Sequence, residues 1–282
     1  MYTLTEMRLV VPILLVTLSG CAPAPGGPAT AADADRAFVA DLNEGDALSG
    51  SDLLDDDVTW TDRAGRTFTK AELSNMLPQP AIVRETAGEA HAFDYGRVHV
   101  VRVDRNRNHV LRVWVQRPAG WRLLVYQEVL SLESPPAGAP PGLERECVNP
   151  CKSIPYKPET INERGVIAAY QALETAAHGA DVDNWGRYVA DEFVVVSSNS
   201  DKVLTKQGRI DGLRKAAYGG VSPSALVSAE LFDFDNAVVM RALHQPETGS
   251  PLQIGRVWIN RNGEWMSVLS YQTASPGAAE RH

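Results

Sequence analysis

Residues Arg112 to Gln127 read RVWVQRPAGWRLLVYQ, and residues Arg256 to Gln272 read RVWINRNGEWMSVLSYQ. Each stretch opens Arg-Val-Trp, turns at a glycine, passes a second Trp and closes on Tyr-Gln. Alternation around a short Gly turn predicts an antiparallel hairpin. Val113 and Val115 alternate with Arg112, Trp114 and Gln116, so the two sets occupy opposite faces of a strand. Val257 and Ile259 keep that parity against Arg256, Trp258 and Asn260. When the two Tyr-Gln endings are matched, the second copy is one residue longer between Trp265 and Tyr271, which a β-bulge would absorb. The chain reads as one domain written twice, each copy ending in this hairpin.

Upstream of each hairpin the same order of signals recurs. In the first half, Thr30-Ala31-Ala32-Asp33 is a helix start ahead of Ala34, Phe38 and Leu42, which share a face. A second short helix is predicted over Asp46 to Asp57, a strand at Val58–Thr61, a turn at Asp62–Gly65, and a third helix from Thr69-Lys70-Ala71-Glu72. Strands are expected near Ile82–Glu89, His91–Tyr95, Arg97–Val103, His109–Gln116 and Trp121–Leu130. The run SPPAGAPP from Ser134 to Pro141 breaks every periodicity. Beyond it, Thr160–Glu163 caps a helix carrying Val166, Tyr170, Leu173 and Ala177. A short helix at Asp183–Ala190, a strand at Phe193–Val196, a turn at Ser198–Asp201 and a third helix from Thr205-Lys206 complete the repeat. Offsets between the copies grow only from 136 at Thr69/Thr205 to 144 at the hairpins, which points to duplication with loop insertions.

Three helices interrupted by a strand, then a meander ending in RVW…W, resemble the nuclear-transport-factor-2-like superfamily, and within it the SnoaL-like group of bacterial domains. FVADLNEGD (38–46), DDDVTWTDRAG (55–65), TKAE (69–72) and the two hairpins carry the resemblance, which covers about 31–133 and 160–274. It implies an α+β fold: two cone-shaped domains, each with three helices on a curved antiparallel sheet and a pocket between. Many members of this superfamily dimerise through their sheets, so an intrachain pseudo-dimer is expected. The Trp faces are placed at the contact, with Trp114 and Trp258 near a pseudo-two-fold axis, and the Val and Ile faces against the helices.

Composition bounds the function. At 282 residues, with 44% hydrophobic and 22% charged residues, the chain suits two folded domains. A net charge of −8 argues against nucleic acid, which needs a basic face. Residues 1–20 read as a leader whose Leu9–Leu18 run is too short to span a bilayer. Leu18-Ser19-Gly20-Cys21 resembles the lipobox of bacterial lipoproteins, which implies lipidation at Cys21 and a place in the cell envelope; in a Gram-negative cell, Ala22 resembles outer-membrane sorting. A tether at 21–30, a linker at 134–159 and a tail at 275–282 complete the expected organisation. Cys147 and Cys151 in ECVNPC are expected to form a local disulfide in an exported protein. They make a poor zinc site, so neither metal nor cofactor is expected.

Candidate site residues follow from the resemblance and from residue type. Asp62 falls where ketosteroid isomerases of this superfamily carry their general base. The donors such chemistry needs are replaced: Phe38 and Leu111 stand at those positions in the first domain, and in the second Ser198 and Gly255 stand at the base and hairpin positions. Asp62 is then better read as a turn residue bonding its own backbone. His91 and His99 are weaker candidates for an Asp–His pair of the dehydratase type, as are His244 with Asp233, and Tyr126 is a candidate donor. Trp60, Tyr95, Tyr170 and Tyr271 are the expected pocket aromatics, with core packing as the competing reading. A binding or accessory role for a small apolar ligand leads. A small-molecule lyase, isomerase or hydrolase using Asp62 with a His or Tyr is the alternative.

Overall fold

The structure, a computed structural model, describes residues 28–44, 52–73, 90–134, 146–216 and 221–276. The leader, Cys21 and most of the tether lie outside the described residues, as do the strand expected at Ile82–Glu89 and most of the Pro-rich run.

The first domain comprises α1 (Ala31–Glu44), β1 (Leu54–Thr61), β2 (Thr67–Thr69), α2 (Lys70–Leu73), β3 (Ala90–Tyr95), β4 (Val98–Arg105), β5 (Asn108–Arg117) and β6 (Gly120–Leu130). The second comprises α3 (Ile161–His178), α4 (Val182–Arg187), β7 (Val189–Ser197), β8 (Leu204–Thr205), α5 (Lys206–Lys215), β9 (Ala225–Phe234), β10 (Ala237–Gln245), β11 (Leu252–Arg261) and β12 (Glu264–Ala274). Thr160 starts α3 by accepting from the Glu163 amide, and Glu163 reaches back to the Glu159 amide. Each domain forms a six-stranded sheet, in the orders β2-β1-β6-β5-β4-β3 and β8-β7-β12-β11-β10-β9. The two orders are identical, as duplication requires.

Three expectations need correction. The sheets are mixed, because β1 runs parallel to β6 and β7 parallel to β12. These partners are far apart in sequence, so no hairpin turn forces them antiparallel. Residues 46–51 of the second helix expected over Asp46–Asp57 lie outside the described residues, within which the first domain has two helices. The acidic Asp55-Asp56-Asp57 stretch, read as the end of a second helix, belongs to β1, where Leu54, Val58 and Trp60 point inward.

The third correction concerns the hairpin itself. Both copies carry a register shift at the same place, between Val113 and Trp114 and between Val257 and Trp258. No extra residue separates them: Arg112 pairs with Tyr126, and Arg256 pairs with Ser270. Tyr126 is therefore equivalent to Ser270, and Gln127 to Tyr271. The repeated Tyr-Gln is one residue out of register, and in a strand one residue is the difference between opposite faces.

The faces are also the reverse of those expected. Trp114 and Trp258 are fully buried inside their own domains, against Phe38 of α1 and Tyr170 of α3 respectively. Arg112 lies on the same inner face, bonded to Asp35 of α1 by Nε at 2.7 Å and Nη2 at 2.9 Å, and Trp114 Nε1 donates to Asp35 at 2.7 Å. The helix side is the one that supplies carboxylates to satisfy an arginine and an indole. The Val and Ile faces meet each other instead. Val113, Val115, Val125 and Leu111 of the first sheet share one core with Val257, Ile259, Val239 and Tyr271 of the second.

That sheet-on-sheet seam contains a polar knot. Gln127 Nε2 donates to the carbonyls of Gln253 and Tyr271 at 2.9 and 3.2 Å and to Thr273 Oγ1 at 3.0 Å. Thr273 Oγ1 in turn donates to the Glu128 carbonyl at 2.7 Å. Gly255 lies beneath: a Cβ built there would stand 2.6 Å from Gln127 Oε1 and 3.5 Å from Leu111 Cδ2. The glycine is needed because the first domain's side chains press on this strand.

Cys147 and Cys151 are joined in a disulfide. The segment around them is docked on the second domain. Asn149 Nδ2 donates to the Leu226 carbonyl and its Oδ1 accepts from the Leu226 amide, both at 3.0 Å. A side-chain amide thus occupies backbone groups of the edge strand β9, which would otherwise be open to another strand.

Candidate functional site

The residues weighed for catalysis in the first domain are not brought together. Asp62 is buried, and its carboxylate accepts from the amides of Ala64 and Arg66 at 2.9 and 3.0 Å and from Arg66 Nε at 2.8 Å. All of these bonds close the β1–β2 turn. His91 is exposed on β3. His99 is buried and directs Nδ1 at Asp94, 2.5 Å away. Asp233, weighed with His244, instead accepts from Thr160 and Asn162 at the start of α3. Tyr126 donates to Glu128 at 3.1 Å and stacks on Trp60 with ring centroids 3.6 Å apart.

The expected pocket aromatics divide by domain. Trp60, Tyr126, Phe38 and Trp114 fill the space between α1 and the first sheet. Tyr95 lies at the seam, its hydroxyl 3.3 Å from Glu192 of the second domain, and burial pushes its pKa up. Tyr271 also faces the seam, near Arg102 and Asp104 of the first domain, and burial raises its pKa as well. Tyr170 is fully buried in the core of the second domain, with the Arg256 guanidinium 5.0 Å from its ring, and none of the four expected pocket aromatics lines the cavity of that domain.

That cavity, of about 360 Å³, lies between the helices and the sheet of the second domain. Leu173 and Glu174 of α3, Trp185 of α4, Phe193 and Val195 of β7, and Arg209 of α5 wall one side. His244 of β10, Leu252, Ile254 and Arg256 of β11, and Ser267 and Ser270 of β12 line the sheet side. The equivalences above explain why this domain is hollow. Trp60 pairs across with Tyr126, and Val195 pairs with Ser270, so these two couples occupy the same two positions. An aromatic stack plugs the first cone; a Val and a Ser leave the second open. By the same register Ser197 stands where Asp62 does, and it likewise accepts from an amide two residues on, that of Asn199, at 3.2 Å.

The charged groups of the cavity are unevenly matched. Arg256 is buried, and its Nη2 donates to Glu174 at 3.1 Å and its Nε to Ser270 Oγ at 3.4 Å. Its Nη1 is buried with no hydrogen-bond partner among the described residues. Arg209 makes no ion pair with any described residue, and burial lowers its pKa, Arg256 adding to the effect against the opposing pull of Glu174. Burial, reinforced by Arg256, pushes the His244 imidazole down to about 3, so it is neutral at pH 7; its Nε2 is buried without a partner. Sequence reasoning weighed His244 only with Asp233 and missed Arg209 and Glu174. The missed signal is that Arg256 repeats Arg112 while its helix partner changes from Asp35 to Glu174.

Among the described residues, no group of three or more His, Cys, Asp or Glu is placed to hold a metal ion. The described residues thus form a two-domain α+β protein of paired mixed sheets, with an arginine-lined cavity in the second domain. No protein-family model matches the chain, and no curated protein does. Solved structures are similar to it. One is an NTF2-like protein from Cytophaga hutchinsonii, 15% identical, covering 41% of this chain and 99% of its own, with a TM-score of 0.36. Another, from Nostoc punctiforme and described as having a cystatin-like fold, is 12% identical, covers 42% of this chain and 94% of its own, and has a TM-score of 0.35. A third is an NTF2-like protein of unknown function in nutrient uptake from Rhodospirillum rubrum, 20% identical, covering 38% of this chain and 96% of its own, at a TM-score of 0.32.

Proposed function

We propose that this chain is a small-molecule-binding protein of the bacterial envelope, non-catalytic, with the ligand held in the second domain. The first domain serves as its filled partner in an intrachain pseudo-dimer. The observation that carries the reading is the 360 Å³ cavity beside Arg256, set against an aromatic plug at the equivalent place in the first domain. A volume in this range, with mixed apolar and polar walls, suits a small organic molecule. Chemistry is disfavoured because the cavity's imidazole is held near a pKa of 3, a poor general base at neutral pH. The carboxylate beside it is tied to Arg256.

Val195→Trp combined with Ser270→Tyr tests the site by rebuilding the first domain's plug in the second. Native mass spectrometry of the mature protein taken from its own membrane should show a bound small molecule in the wild type and none in this variant. The same bound mass in both would place the ligand elsewhere. The envelope location rests on the Leu18–Cys21 box. Cys21→Ser should leave an unprocessed precursor, and mature Cys21→Ser protein still partitioning into detergent would refute the anchor.

A further inference from the structure

We infer that the ligand of the second-domain cavity is an organic monocarboxylate, its carboxylate seated between Arg256 and Arg209 and its apolar body against Trp185 and Phe193. This rests on the reading of the cavity as a ligand site and goes further, to the ligand's charge.

Two guanidiniums face the cavity and a single carboxylate, Glu174, answers them. The excess is one positive charge, in a space where unbalanced charge is costly. Arg256 is turned so that Nε and Nη2 are occupied by Ser270 and Glu174, which leaves Nη1 buried with no partner. A buried N–H pair without an acceptor is costly, and the first domain shows how such a cost is avoided. There the matching Arg112 gives both Nε and Nη2 to one Asp35 within the protein. In the second domain Glu174 takes only Nη2, and the proposed carboxylate supplies an acceptor for Nη1. A monoanion balances the excess, whereas a dianion would set a second negative charge against Glu174. Arginine's planar fork also favours a carboxylate geometrically. Trp185 and Phe193 meet edge to face at 5.7 Å and give the cavity an aromatic wall.

The test is titration of the full-length mature protein with 3-phenylpropanoate and with its uncharged isostere 3-phenylpropanamide, followed by calorimetry and by the Trp185 indole signal in NMR. The acid should bind at least tenfold more tightly than the amide. Arg209→Gln should weaken the acid about tenfold and leave the amide unchanged. Arg256→Met alone would strand Glu174 and risk unfolding, so it is paired with Glu174→Gln; this double variant keeps the Arg209 charge and should retain only part of the preference for the acid, while an undiminished preference would show that Arg256 does not hold the carboxylate. Equal affinity of the wild type for the two probes would overturn the carboxylate assignment while leaving the cavity as a site. Binding of neither probe would overturn both.

Discussion

In the first domain Trp60 and Tyr126 stack with centroids 3.6 Å apart, whereas in the second the same two sheet positions hold Val195 and Ser270. The frame is otherwise shared: one strand order, one hairpin with one bulge, and an Arg-Val-Trp strand facing a helix. A packed core and a cavity therefore occupy equivalent places in the two copies of one fold. A filled cone contributes apolar burial and aromatic contact. An open one forgoes both and leaves Arg256, Arg209 and His244 lining a cavity. At these positions a single pair of side chains distinguishes the two copies.

The comparison breaks most visibly at the plug. Trp60→Val should cost about 3–5 kcal/mol, since a buried indole is removed from a packed stack that cannot collapse around the void. Urea unfolding reads this directly. A loss below about 1 kcal/mol would mean that the first cone tolerates emptiness as the second does.

Acid sharpens the contrast, because His244 belongs to the second domain alone. Its folded pKa of about 3 lies below the ordinary 6.5, so between these values the unfolded chain binds a proton that the folded chain does not. Its contribution is complete above pH 6.5 and declines as pH falls toward 3. By pH 4.5 the loss should reach ~2–3 kcal/mol. Arg256 beside it and the un-ionised Tyr170 ring offer no negative charge to offset the protonation, and Glu174 is engaged with Arg256. His244→Gln should flatten this part of the stability profile measured by denaturant titration at several pH values; an unchanged slope would assign the acid sensitivity to other groups.

The smallest of these effects lies at the seam. Gly255→Ala places a Cβ against Gln127 Oε1, and Gln127 is pinned by three acceptors of the second domain. About 1–3 kcal/mol of destabilisation is expected, as for other overpacked sites. Adding Gln127→Ala should recover part of it in a double-mutant cycle. Strict additivity would show that the two residues do not meet.

Much of this molecule was determined by local sequence alone. Thr160 and Glu163 announce the start of α3, the Gly turns announce the hairpins, and the repetition of both announces two copies of one α+β unit. The turn role of Asp62 was equally legible, because an Asp followed by Arg-Ala-Gly bonds its own backbone within four residues. Those features depend on neighbours in the chain, and neighbours are what a sequence displays. Only the tertiary structure decided which face of each hairpin meets the other domain. Alternation separates two faces but does not say which is covered by helices, and that depended on Asp35 and Glu174 arriving from helices some eighty residues away. The same holds for the cavity. The repeated Tyr-Gln suggested that Tyr126 and Tyr271 are counterparts, yet the ladder pairs Arg256 with Ser270, and a one-residue slip sends Tyr271 into the seam. Whether a cone is filled or open turns on that register, which cross-strand hydrogen bonds set and letter similarity does not.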